Sequence, residues 1–218
     1  MYLNNACNAL VKKLIPTQRT GNKTGASSKK TTSSLEDSSH LFNLAVSRLK
    51  NINEWETISR SGTKYSLRDE KGKNEVKRDP ELGDLIRIEI PGPGNQSGGG
   101  YDWVKIERII EQKDMANNCE IFGFRVRPVA NPGNTDKAAA QFYKEDATSS
   151  FLIVRSDKTV KAIEQGMNEK PNTQSQNIWN KIRNLLVAVL AFSGVANSNW
   201  KSLTDGLLEE NKKTIRQN

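Results

Sequence analysis

The chain has 218 residues, with 33 Lys and Arg against 25 Asp and Glu, a formal net charge of +8, 35% hydrophobic residues, two cysteines and one histidine. That length allows one large domain or two small ones, and apolar residues fall in patterned segments, which excludes a wholly disordered chain. The longest apolar run, 185–192, is far short of the roughly 20 residues a bilayer span needs. Two cysteines cannot build a disulfide framework, so nothing in the sequence calls for an oxidising compartment and a cytoplasmic setting is the expectation.

The first fifteen residues carry one oily stripe. Leu3, Cys7, Leu10 and Leu14 recur at helical spacing, Asn4, Asn8, Lys12 and Lys13 lie largely off it, and Pro16 marks its end. Residues 17–34 then contain Gly, Ser, Thr, Lys, Asn and Gln with no large apolar side chain. Such a segment cannot bury enough surface to offset its ordering entropy and reads as a flexible basic linker, with a reach of about 25 Å. Residues 1–40 hold six basic and two acidic residues, so half of the net charge sits in this tail. The sequence thus divides at residue 36: an amphipathic peptide on a tether over 1–36, and a single α+β domain over 37–218.

The body opens with a helix from about Asp37 to Trp55, capped by Asp37, Ser38 or Ser39, with Leu41, Phe42, Ala45, Val46, Leu49 and Ile52 on its buried face. Short strands follow. Residues 65–69 and 74–77 bracket a turn at Lys71-Gly72. Over 84–90, Ile86, Ile88 and Ile90 alternate with Leu85, Arg87 and Glu89. From Trp103, Val104 and Ile106 point away from Lys105 and Glu107. Beyond Cys119, Phe122, Phe124 and Val126 point inward and Arg125 and Arg127 outward. Residues 151–154 are apolar on both faces, as in a central strand, and Ser156-Asp157-Lys158 turns the chain into a strand over 159–164. Period-two alternation at this spacing predicts a curved antiparallel sheet of six or seven strands with one face covered. The cover is expected from a C-terminal αα-hairpin: a stripe from Ile178 to Leu190, then a second helix with Trp200, Leu203 and Leu207.

Catalytic chemistry is poorly supplied. His40 is the only histidine, and neither it nor Cys7 and Cys119 fall at zinc-ligand spacing. No pair of acids sits on a rigid apolar face as hydrolysis would want. We therefore expect no catalytic residue, no metal and no cofactor, and a non-enzymatic role is favoured over an enzyme.

The glycine-rich stretch 91–100 precedes Tyr101 and Trp103 but lacks the Gly-Lys-Ser/Thr that opens a helix in phosphate-cradling loops. It reads as a connection between strands, or as a lip over a small-ligand pocket. Phe122-Gly123-Phe124 is similar to the aromatic strand of RNA-recognition and cold-shock domains over three positions only, and alternation turns both rings into the core.

Three functional expectations follow. The first is docking on a protein partner or larger assembly through Leu3, Cys7, Leu10 and Leu14. The second is a polyanion-binding, nucleic-acid-type module using the basic tail and a sheet face, with Tyr101, Trp103, Lys105, Arg125 and Arg127 as candidate contacts and Arg87, Arg155 and Lys161 near them. Glu89 and Glu107 alternate into the same faces, so cross-strand ion pairs are the structural counterpart of that stripe. The third is a small-ligand or enzymatic pocket gated by the 91–100 loop.

Overall fold

The computed structural model of the protein describes residues 3–90, 101–133, 146–169 and 198–210. The N-terminal stripe forms helix α1 (Asn5–Leu14), with Asn4 as N-cap accepting from the Cys7 amide. Strand β1 (Asn22–Thr31) follows, then helix α2 (Leu35–Lys50), a 3₁₀ turn (Ile52–Glu54) and helix α3 (Trp55–Ser59). Six strands come next: β2 (Lys64–Arg68), β3 (Leu85–Glu89), β4 (Asp102–Asp114), β5 (Cys119–Val129), β6 (Thr148–Ser156) and β7 (Thr159–Glu169). Helix α4 spans 198–207.

The strands form one antiparallel sheet in the order β1-β7-β6-β5-β4-β3-β2. Every pairing except β1 with β7 joins strands consecutive in sequence, and tight turns set the β4–β5 and β6–β7 registers. Asn118 and Asp157 take the left-handed backbone conformation at the β4–β5 and β6–β7 turns. Trp55, Phe124 and Phe151 pack together on one face, under α2 and α4, with Leu41, Leu49, Ile106, Ile153 and Leu203. The Trp55 Nε1 donates to the Leu49 carbonyl at 3.1 Å, so the largest core side chain leaves no polar group unpaired. Arg48 reaches the carbonyls of Gly206 and Leu207 and closes the end of α4. Phe122, Phe124 and Val126 are in this core, as alternation predicts, and β6 is buried on both faces.

The linker expected over 17–34 is instead largely strand β1, paired with β7 from Asn22 to Thr31. Only Ala26 of the strand is buried, so the ladder of backbone hydrogen bonds holds it and side-chain periodicity leaves no trace. Its lysines blunt what is a sheet edge. The oily stripe of α1 is likewise not free. Cys7 and Leu14 are fully buried, and Leu3 and Leu10 pack beside them, against Ile110, Ile121, Leu152 and Val154 on the sheet face opposite α2. Cys7 and Cys119 form a disulfide across 112 residues, a pairing the sequence reading did not foresee.

Smaller corrections concern boundaries. Ser34 caps α2, accepting from the Asp37 amide, and the helix ends at Lys50 rather than near Trp55. The strand expected at 74–77 reduces to one bridge between Arg68 and Glu75. Strand β7 runs to Glu169. The glycine loop 91–100 and the stripe from Ile178 to Leu190 lie outside the described residues.

Candidate functional site

Strand pairing places the expected polyanion contacts on one surface. On the sheet face that carries α1, Lys105 of β4 stands directly opposite Arg127 of β5, and Arg108 stands directly opposite Arg125. Between the two pairs the register slips at a β-bulge around Glu107. The bulge leaves an extra residue on this face, which is why Glu107 can serve both arginines. Its carboxylate accepts from Arg127 Nε at 2.6 Å and Nη2 at 3.3 Å, and forms an ion pair with Arg125. Among the described residues neither Lys105 nor Arg108 has an ion-pair partner.

The trough has built walls. At one end the Leu14 carbonyl, last in α1, accepts from Arg125 Nη1 at 3.1 Å. At the other, the turn at Gly72 lies over Trp103, Leu85 and Pro132: a Cβ on Gly72 would stand 3.1 Å from the Trp103 ring, and its φ of +70° suits glycine. Trp103 is buried there, and its Nε1 meets no acceptor among the described residues. Arg87, directly opposite Trp103 on β3, lies over the Tyr101 ring at 4.4 Å. The structure thus brings Trp103, Lys105, Arg125 and Arg127 together, with Tyr101 at the rim. It adds Arg108, which sequence reading missed because the bulge reverses the alternation at that point. Lys161 is on the same face, three strands away from Lys105.

Arg155 is not part of this surface. It is buried on the α2 face, where its Nε donates to Glu120 at 2.5 Å. Burial alone would raise the Glu120 carboxyl, but Lys113 and Arg155 outweigh it and hold the group below its ordinary range. Glu89 faces Lys64 at 3.8 Å, a loose surface pair.

A second unusual group lies on the α2 face. Glu164 of β7 is 1% exposed, and neither carboxyl oxygen has a well-formed hydrogen bond. Burial, reinforced by the charge of Glu169, pushes it up to about 8; the Ser149 hydroxyl and the Ala26 backbone offset this only in part. Burial also raises Glu169. His40 lies exposed in α2, and among the described residues no group of three or more His, Cys, Asp or Glu could hold a metal ion. No helix among them is long and apolar enough to cross a membrane.

Fold and surface together define an α+β protein with a seven-stranded antiparallel sheet, α2 and α4 packed on one face and α1 beside a basic surface on the other. No protein-family model matches the chain, and no curated protein matches it in sequence. Among solved structures, it is similar to a hypothetical protein of Helicobacter pylori (14% identity, 89% of this chain and 92% of that one, TM-score 0.48). It is also similar to a protein of Mycobacterium smegmatis (9% identity, 87% and 95%, TM-score 0.38). A third similar structure is norcoclaurine synthase of Thalictrum flavum in complex with dopamine and hydroxybenzaldehyde (10% identity, 89% and 97%, TM-score 0.36). At these values the likenesses carry no functional argument.

Proposed function

We propose that the protein is a non-enzymatic polyanion-binding module that takes single-stranded nucleic acid on the α1 side of its sheet. The observation that supports this reading is the pair of like-charged cross-strand neighbours, Lys105 with Arg127 and Arg108 with Arg125, around the Glu107 carboxylate. Like charges directly opposite one another destabilise a sheet, and an anion bound at Lys105 and Arg108 would relieve that cost. A chain of phosphates supplies that charge, and the Arg87–Tyr101 pair offers an aromatic platform at the rim.

Docking of a protein partner through Leu3, Cys7, Leu10 and Leu14 is the weaker reading. It would require α1 to leave the sheet, against a disulfide and two fully buried side chains. The same disulfide counts against a cytoplasmic setting, where thiols are kept reduced.

The test is fluorescence anisotropy of a labelled oligothymidylate across a salt series. With three to four phosphates neutralised, affinity should fall with a log–log slope of about −2 to −3. Lys105→Glu with Arg108→Glu should weaken binding at least tenfold. Absence of binding by the native protein at low salt overturns the proposal.

A further inference from the structure

The α1 face carries a third directly opposed cation pair, far from the first two. Lys29 of β1 stands opposite Lys161 of β7, and among the described residues neither meets a carboxylate. Beside them lies an open groove of about 410 Å³, lined by Lys23, Gly25, Ser27, Lys161, Ile163 and Gln165 among others. Its floor is bare backbone at Gly25: a Cβ there would stand 3.0 Å from both Gln165 Nε2 and the Glu164 carbonyl. Gln165 is fixed, its amide donating to the carbonyls of Thr24 and Gly166, so the floor has a set shape before anything binds.

From this geometry we infer that the β1–β7 groove is a second contact for the same bound strand, a phosphate-only subsite that lengthens the footprint; the inference rests on the nucleic-acid reading above. Three features support it. The groove faces the same side as the arginine trough. The chain linking α1 to β1 crosses between them, with Arg19 exposed where its amide donates to Asn168 at the end of β7. Among the described residues no aromatic ring lines the groove, so it can grip phosphates but cannot stack bases. From Arg108 on β4 to Lys29 on β1 is four inter-strand spacings, about 19 Å, and four residues along the strands, about 13 Å, or ~23 Å in all, which a stacked strand at ~3.4 Å per phosphate crosses in roughly seven nucleotides. A strand shorter than that occupies one patch; a longer one reaches both.

The experiment compares labelled oligothymidylates of about four and about twelve nucleotides on the full-length protein. Lys29→Glu with Lys161→Glu should weaken the twelve-mer about tenfold and flatten its log–log salt slope by roughly 1.4, two phosphates' worth for a single strand, while leaving the four-mer within twofold. Lys29→Gln with Lys161→Gln, which removes charge without reversing it, should give the same pattern at smaller size, and thermal unfolding checks that both variants fold. If the lysine variants bind the twelve-mer as tightly as the native protein, the second contact is wrong and the trough stands alone. If they weaken both lengths equally, the effect is general charge and the subsite is also wrong. If the native protein binds neither length, both readings fall.

Discussion

The Leu14 carbonyl accepts a hydrogen bond from the Arg125 guanidinium, and the same guanidinium pairs with Glu107. One side chain therefore closes the exposed end of α1 and forms a wall of the basic trough. Helix C-termini carry unsatisfied carbonyls and partial negative charge, so an arginine held there stabilises the helix while its remaining donors stay on the sheet surface.

Arg125 and Arg127 should for that reason separate under mutation. Arg125→Ala removes a charged hydrogen bond to α1 and should lower unfolding free energy by roughly 1.5–3 kcal/mol, with faster amide exchange in the last turn of α1. Arg127→Ala, on a partly exposed pair with Glu107, should cost under about 1 kcal/mol but weaken oligonucleotide binding. Denaturant titration and anisotropy on the two variants check the split. Equal stability loss would mean that α1 does not depend on Arg125.

The disulfide should matter more than its position near the terminus suggests. Closing a loop between residues 112 apart restricts the unfolded chain heavily. Cys7→Ser with Cys119→Ser should lower unfolding free energy by about 2–4 kcal/mol, and a dithiol reductant should do the same to the native protein. A change below about 0.5 kcal/mol would show that α1 contributes little to the folded state.

Gly123 lets Leu14 of α1 pack close against β5. A Cβ there would run into the Phe151 carbonyl and would stand 3.1 Å from Leu14 Cδ2. Gly123→Ala should destabilise the protein by roughly 1–3 kcal/mol, because neither the β6 backbone nor the helix can yield without losing contacts. Chemical denaturation measures it, and a neutral result would place α1 farther from β5.

Glu164 sets a pH dependence. Its carboxyl titrates at about 8 in the folded protein, against 4.5 as the ordinary value, so between those values the folded state holds a proton that the unfolded state has released. The protonated carboxyl thus favours folding fully below pH 4.5, and that advantage is lost as pH rises through about 8. Glu164→Gln, which stays neutral, should flatten the fall in Tm between pH 5 and pH 9, with the variant more stable than the native protein at pH 9 by on the order of 5 kcal/mol. Parallel Tm curves for the two proteins would mean that Glu164 finds a partner when charged.

Much of the sheet was legible because burial on one face writes itself as alternation: Phe122, Phe124 and Val126 against Arg125 and Arg127, or Ile86 and Ile88 against Arg87. The α1 stripe was legible for the same reason, yet its destination was not. An amphipathic pattern says that a face will be covered and is silent on what covers it, and only the fold sets Leu14 on Gly123 and Cys7 beside Cys119. Strand β1 leaves no pattern because Gly, Ser, Thr and Lys on an edge bury almost nothing; its order comes from backbone bonds to β7, which any residue but proline can make. The basic surface was half visible. Lys105, Arg125 and Arg127 follow from period two, but Arg108 joins them only through the bulge at Glu107. The pairing of Lys29 with Lys161 depends on a register between residues 132 apart in sequence, which no local pattern encodes. Local chemistry fixed which residues face one way or the other, and long-range register decided which of those faces became one surface.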